Sequence, residues 1–288
     1  MAAGLPAAIS IAGQSSTRLP EKPRCAEISM IELRRVSYSV SEDESSREGE
    51  TATSRFILDD VSFVIPTGSI SCIMGVSGTG KTTLLRLIAG LLKPDSGEIL
   101  VDGRDIVPLD ERELNDLRRE MGFVFQYGAL FDSMTIGENV AFGPQRQRLE
   151  RDEVAQIVRA RLEEVGLPDI EDKLPAELSG GMRKRVAMAR ALATNPRIVL
   201  YDEPTSGLDP VMARVIDDLI VKLRDASGST NVVVSHSLPS IFRIADRVIM
   251  LHNARVAVDG SAAEVQNSDS PVVRQFLDGR AEGPITVR

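Results

Sequence analysis

A chain of 288 residues can bury a sizeable core, as one large domain or two lobes. Its 42% hydrophobic and 26% charged residues match a globular protein, and a formal net charge of −8 argues against the broad basic face that nucleic acid requires. The two cysteines, Cys25 and Cys72, lie far apart in sequence and suggest neither a disulfide framework nor a zinc site, which fits a reducing compartment.

Residues 1–27 read as a flexible extension. The small apolar start has no basic segment and is broken by Gly4 and Pro6, so a secretory signal is not expected; the absence of acids in the first twenty residues leaves an organelle address open. No apolar run approaches the ~18 residues of a membrane span. The main folded unit is expected over residues 28–265, with a tail over 266–288.

Residues 28–40 alternate apolar and polar, with Ile31, Leu33, Val36 and Tyr38 apolar, and read as a strand. A polar, mostly acidic stretch, 41–54, joins it to an antiparallel partner near 56–65, ended by Pro66-Thr67-Gly68. The apolar run Ile70-Ser71-Cys72-Ile73-Met74 predicts a buried strand. Glu98-Ile99-Leu100-Val101 followed by Asp102-Gly103 signals a hairpin. A helix is expected over 109–119, starting at Asp110, with acids early and bases late. Residues 121–125 read as a short strand. A helical insertion covers about 127–180, in which Val154, Ile157, Val158, Leu162 and Val165 keep helical spacing. A helix opening at Ser179 runs to about Ala193. Strands return at 197–201, 231–235 and 247–251, with a helix between the first two. Strand–helix alternation of this kind predicts a parallel sheet covered on both faces.

Two stretches carry chemistry. Gly75-Val76-Ser77-Gly78-Thr79-Gly80-Lys81-Thr82-Thr83 stands between a strand and a helix, as a P-loop must. Its glycines let successive N–H groups converge over a helix N-terminus, which suits phosphate. Lys81 reaches the β- and γ-phosphates, and the Thr82 hydroxyl ligates Mg²⁺. The second stretch is Ile198-Val199-Leu200-Tyr201-Asp202-Glu203. A buried strand delivers two acids to the carboxyl edge of the sheet, where open α/β sheets bind ligands. Asp202 is expected to hold Mg²⁺ and Glu203 to act as general base toward water.

With these stand Gln126 after a short strand, Leu178-Ser179-Gly180-Gly181-Met182, Ser206-Gly207-Leu208-Asp209, and His236 after Val232-Val233-Val234-Ser235. Six motifs in this order resemble the ATP-binding-cassette (ABC) ATPases over roughly residues 28–265. The resemblance implies a P-loop NTPase of α/β class: a parallel-sheet core, an antiparallel β subdomain and an α-helical subdomain. It implies ATP and Mg²⁺, with Gln126 sensing ion and water and His236 touching the γ-phosphate. It also implies a homodimer in which ATP lies between one P-loop and the partner's Ser179, Gly180, Gly181 and Met182, with Asp209 along the seam. Two departures are visible: Met182 replaces the usual Gln, and Val40 stands near the usual adenine-stacking aromatic, leaving Tyr38 or Phe56 as substitutes. Arg183-Lys184-Arg185 reads as a solvated face of the signature helix in preference to a functional patch. Phe125, Leu130 and Phe131 read equally as core or as a seat for a membrane partner.

Residues 125–131, 179–185 and the tail 271–279, with Gly283-Pro284-Ile285 beyond, look like the ATPase subunits of Mla/Mce-type lipid transporters. That resemblance implies an integral-membrane lipid permease, an MCE-domain protein, often a small STAS-domain protein, and a peripheral place on the cytoplasmic face of the inner or plasma membrane. It also implies a tail that reaches across the dimer; a short helix on its own domain with a frayed end is the alternative. Other transport substrates are the nearest alternative. A soluble ABC ATPase working on nucleic acid or ribosomes is another, disfavoured by the acidic charge and single cassette; no nucleic-acid partner is expected.

Overall fold

The computed structural model describes residues 31–41 and 54–286. The expected extension and most of the acidic loop lie outside the described residues. In chain order, β1 (Ile31–Ser41) and β2 (Ser54–Ile65) pair antiparallel. Then come β3 (Ile70–Met74), α1 (Lys81–Ile88), and the hairpin β4 (Ser96–Val101) and β5 (Arg104–Asp105). α2 (Glu111–Arg118) starts at a capping box in which Asp110 accepts from the Glu113 N–H and Glu113 accepts from the Asp110 N–H. β6 (Met121–Val124), α3 (Ile136–Arg146) and α4 (Arg151–Glu164) follow, and a single 3₁₀ turn at Pro175–Glu177 leads to α5 (Gly180–Leu192). The rest is β7 (Ile198–Asp202), α6 (Pro210–Ser227), β8 (Thr230–Val234), α7 (Leu238–Ile244), β9 (Arg247–His252), β10 (Arg255–Ser261), α8 (Ala262–Gln266) and α9 (Pro271–Asp278).

Two sheets result. The antiparallel one has the order β2-β1-β4-β5; the other runs β10-β9-β3-β8-β7-β6, parallel from β9 to β6. Its central strands β3, β7 and β8 are buried at every residue, as expected where both faces are covered. The alternation of side chains sorts them into two cores. Cys72, Met74, Val199, Tyr201, Val233 and Met250 face the helical side, with α3 to α7. Ile73, Leu200, Val232, Val234 and Ile249 face α1 and the antiparallel sheet. Each fully buried Leu or Ile in these layers stabilises the fold by about 1.5–3 kcal/mol.

The elements expected from periodicity are present with ends within three residues of those expected, and β3 matches at both ends; residues 28–30 of the first expected strand lie outside the described residues. The expectation missed β10, which returns antiparallel on β9 through Asn253 and Ala254, at φ +47° and +63°. That is the two-residue turn with both φ positive that suits a hairpin. Asn-Ala is not the Asn-Gly signal, so the turn was hidden. The short α7 and α8 were likewise not anticipated. The tail folds on its own chain: Val273 and Ile285 join the helical-side core, and the buried Gln275 side chain bonds both the N–H and C=O of Ile285.

Candidate functional site

The phosphate-binding loop is shaped by its contacts. Gly75 has φ +148°, and a Cβ there would collide with the Leu251 carbonyl oxygen of β9. Gly80 has φ +88°, and a Cβ would sit 2.8 Å from the Ile57 Cγ2 of β2. Both positions therefore need glycine for space as well as for conformation. Gly80 is the N-cap of α1 and offers no side chain to the helix. The first-turn N–H groups thus have no side-chain cap and point outward at the loop, an anion site by construction.

Lys81 closes the loop on itself. Its Nζ donates to the carbonyls of Gly75 and Val76, each at 2.9 Å, and only 8% of the residue is exposed. Burial lowers its pKa, while the charges of Glu203 and Asp202 act the other way. An ammonium held this way is ready for a phosphate that supplies fuller charge.

Asp202 and Glu203 arrive from β7. The Thr82 hydroxyl donates to Asp202 Oδ1 at 3.0 Å, joining positions 120 residues apart. Burial raises the Asp202 pKa first; the Thr82 bond opposes this, and the neighbouring Glu203 charge adds to it. Glu203 leaves the strand at φ +50°, with its N–H donating to the Val234 carbonyl at 3.0 Å. His236 follows β8, and its Nδ1 lies 2.8 Å from Glu203 Oε2. The two atoms are close but not aligned as a hydrogen bond, so the buried Oε2 keeps a lone pair without a donor. A carboxylate oxygen in that condition can accept a proton from water.

The other expected residues are placed around this group. β6 pairs with β7 through Val124 and Tyr201, so Gln126 leaves the sheet at the edge that carries Asp202. Ser179 caps α5, accepting from the Met182 N–H at 3.3 Å, and with Gly180 it is exposed. Asp209 caps α6 through the N–H groups of Val211 and Met212. Neither Ser179 nor Asp209 has a hydrogen bond to the P-loop residues among the described residues. The helix start at Ser179 is a second N-terminus, capped by its own Ser179 side chain and exposed. Met182 is partly buried against the helical-side core, which accounts for an apolar side chain at a place usually held by Gln.

The basic triplet is a correction. Arg183 Nη1 donates to the Leu178 carbonyl, Lys184 Nζ to the Glu203 carbonyl, and Arg185 Nη1 to those of Val165 and Gly166. Lys184 and Arg185 are half-buried ties to backbone oxygens of other elements and not a solvated face, while Arg183 is exposed and bonds a carbonyl just before its own helix. Helical spacing could not reveal the ties of Lys184 and Arg185, because their acceptors come from other elements. Of the aromatic candidates, Phe125 stacks on Phe123 at 4.2 Å between ring centroids, and Phe131 packs on Phe142 at 4.9 Å. Phe125 and Phe131 are also exposed, together with Tyr127. Tyr38 packs against the antiparallel-side core, whereas Phe56 is 51% exposed and precedes the Ile57 that touches Gly80.

Comparison with known proteins agrees with this geometry. The sequence profile of the ABC transporter family matches residues 58–206. The chain is 45% identical over 240 residues to the intermembrane phospholipid transport system ATP-binding protein MlaF of Escherichia coli (strain K12), covering 83% of this chain and 89% of that one. It is 43% identical over 231 residues to the probable ribonucleotide transport ATP-binding protein mkl of Mycobacterium leprae, covering 80% of this chain and 66% of that one. Among solved structures, a dimeric ATP-binding cassette in a post-hydrolysis state, bound to ADP and Pi, superposes with a TM-score of 0.72 at 34% identity, covering 81% of this chain and 98% of the other. A loop built for phosphate, with two acids and a histidine at its mouth, and relatives of this similarity along most of the chain, place the protein in one group: the chain belongs to the ABC transporter family of ATP-binding proteins.

Proposed function

We propose that this protein hydrolyses ATP to power phospholipid movement through a separate membrane-embedded permease. The contact chain Thr82–Asp202, Glu203–His236 around the P-loop is the observation that carries the hydrolytic part. The lipid part rests on the similarity to MlaF, and on the absence of any helix among the described residues long and apolar enough to cross a membrane. A translocation path must then lie on another chain or outside the described residues. The protein would act as a peripheral subunit on the cytoplasmic face, with the MCE-domain and STAS-domain partners that the resemblance implies.

In this reading ATP lies with its phosphates on the N–H groups of residues 75–83, held by Lys81. Thr82 and Asp202 present a hydroxyl and a carboxylate, hard oxygen donors that fit Mg²⁺, which takes few protein ligands and completes its shell with phosphates and water. No cluster of three or more metal-binding side chains occurs among the described residues, as suits an ion held largely by its nucleotide. The ion neutralises phosphate charge when bound. Glu203 Oε2 takes the proton of the attacking water, His236 turns from Glu203 to the γ-phosphate, and Gln126 orients the water. Phe56 supplies the flat face for adenine. Ser179, Gly180, Gly181 and Met182 of a second copy close the site from the other side, a reading supported by the exposed start of α5 at Ser179, which has no hydrogen bond to the P-loop of its own chain among the described residues.

The test uses the full chain in membranes. Glu203→Gln should keep ATP binding and slow hydrolysis about 10²–10⁴-fold, the usual contribution of a general base. A tagged copy, extracted gently, should bring down a permease together with phospholipid, and phospholipid should stimulate turnover. Stimulation by ribonucleotides and not by phospholipid would overturn the lipid reading, and wild-type turnover in the Glu203→Gln complex would overturn the role of Glu203.

A further inference from the structure

The backbone of Glu203 is in an unfavourable place. Its φ of +50° lies in the left-handed region that side-chain-bearing residues avoid, and it precedes Pro204, which restricts it further. Strain of this kind persists only where surrounding bonds impose it. Three do so here. The Glu203 N–H is tied to Val234 of β8 at 3.0 Å, and its carbonyl accepts from the Ser206 N–H at 3.2 Å. The third bond comes from a different element: Lys184 of α5 donates its Nζ to the same carbonyl at 3.2 Å.

Lys184 is half-buried, and burial lowers its pKa while the Glu203 charge holds it up. A lysine on an ordinary surface would extend into water. This one gives up part of its hydration to hold a main-chain oxygen. It stands five residues after Ser179, the N-cap of α5. Five residues of α-helix are about one and a half turns, a rigid span of ~7.5 Å.

We propose that Lys184 is a positioning residue that holds the general base of its own site while its helix touches the nucleotide of the other site. Ser179, at the start of α5, meets the ATP bound on the partner's P-loop. Lys184, on the same rigid helix, fixes Glu203, which serves the ATP on its own P-loop. One helix therefore links the two hydrolytic sites, so that occupancy of one sets the readiness of the other. This rests on the two-copy reading above. It adds a reason why the two sites are not independent, and it assigns a residue that the motifs do not single out.

The full chain and its Lys184→Met, Lys184→Gln, Lys184→Arg and Glu203→Gln variants are compared in ATP turnover and in ATP-driven dimerisation by light scattering. In Lys184→Met, kcat should fall about 10–100-fold, the scale of a misplaced reacting group, while KM for ATP stays within about twofold. The Hill coefficient for ATP, which the coupling requires to be above 1 in the unaltered chain, should fall toward 1. Lys184→Arg, which keeps a charged donor, should recover most of kcat, and Lys184→Gln, a shorter neutral donor, should fall between. Unchanged kcat and Hill coefficient in Lys184→Met would overturn the inference, as would an equal loss in Lys184→Arg accompanied by lost ATP binding, which is how a packing residue behaves. If Glu203→Gln stays monomeric in ATP, the two-copy reading itself fails; if it dimerises while Lys184→Met turns over normally, only the present inference fails.

Discussion

Asp202 and Lys81 are buried charges that the nucleotide-free protein keeps at a cost. Burial is the first cause of the raised Asp202 pKa, and the Glu203 charge adds to it. A carboxyl whose folded pKa lies above its unfolded value is held more firmly as the neutral acid. In its ionised form it therefore opposes folding. That opposition fades as pH falls through the folded pKa toward the unfolded one. Asp202→Asn should raise the thermal midpoint of the nucleotide-free chain by a few degrees, on the scale of about 0.5–2 kcal/mol gained when a functional strain is relieved. The gain over wild type should shrink as pH falls through the folded pKa toward the unfolded one. The same variant should lose most of the extra stabilisation that Mg²⁺ with ATP confers. A lower midpoint for the nucleotide-free Asn variant would show that Asp202 is a structural partner of Thr82 and not a ligand held in waiting. For Lys81 the sign reverses: its lowered pKa makes its burial unfavourable at neutral pH and easier as pH rises.

At the scale of elements, the loop after Gln126 is held by two side chains: Arg190 of α5 bonds the carbonyls of Gly128 and Ala129, and Asn139 fastens the stretch that follows. Asn139 of α3 is fully buried; its Oδ1 accepts from the Phe131 N–H at 2.8 Å, and its Nδ2 donates to the carbonyls of Phe131, Met134 and Thr135. Asn139→Ala would strand these backbone groups at about 1–3 kcal/mol for a buried unsatisfied partner. Faster amide exchange and proteolysis over residues 127–135 should follow, while the parallel core stays protected. An exchange pattern equal to wild type would mean that the loop is held by Phe131 and Leu130 packing instead. The same scale explains what periodicity saw and missed. Buried strands and amphipathic helices repeat every two or 3.6 residues and can be read along the chain. The triplet at 183–185 obeys helical spacing as a polar face would, yet Lys184 and Arg185 bond carbonyls after β7 and after α4, and only Arg183 bonds one near its own helix start. No local pattern encodes a distant carbonyl.

For the whole molecule, the parallel sheet is a partition. One face carries α1 and the antiparallel sheet, the other the helical layer, and the nucleotide chemistry collects at the carboxyl edge between them. The tail is fastened to the helical side by Gln275, which bonds the Ile285 N–H at 2.6 Å, the Ile285 carbonyl at 3.0 Å and the Arg280 carbonyl at 3.2 Å. Gln275→Ala should release residues 279–286, seen as new protease cleavage after α9, while P-loop binding of ATP is kept. If cleavage in the tail is unchanged, the apolar seat of Ile285 suffices and the Gln275 bonds are incidental. The expectation of a tail contact across the dimer belongs with the two-copy reading. A tail docked on its own domain presents a fixed outer surface to a second copy, which cross-linking in ATP can map.

Chain order alone decided the phosphate loop, the acidic strand end, the signature helix start and the alternation of buried strands, because each depends on neighbours within a few residues. Glycine conformations, helix starts and two-residue alternation are local properties, so they were legible before any fold was seen. Only the tertiary structure decided that Thr82 bonds Asp202, that His236 lies against Glu203, that Lys184 grips the Glu203 carbonyl, and that the antiparallel strands order as β2-β1-β4-β5. Those contacts join positions separated by many residues, and their energies come from burial and from unpaired polar groups finding partners, which no stretch of sequence expresses by itself.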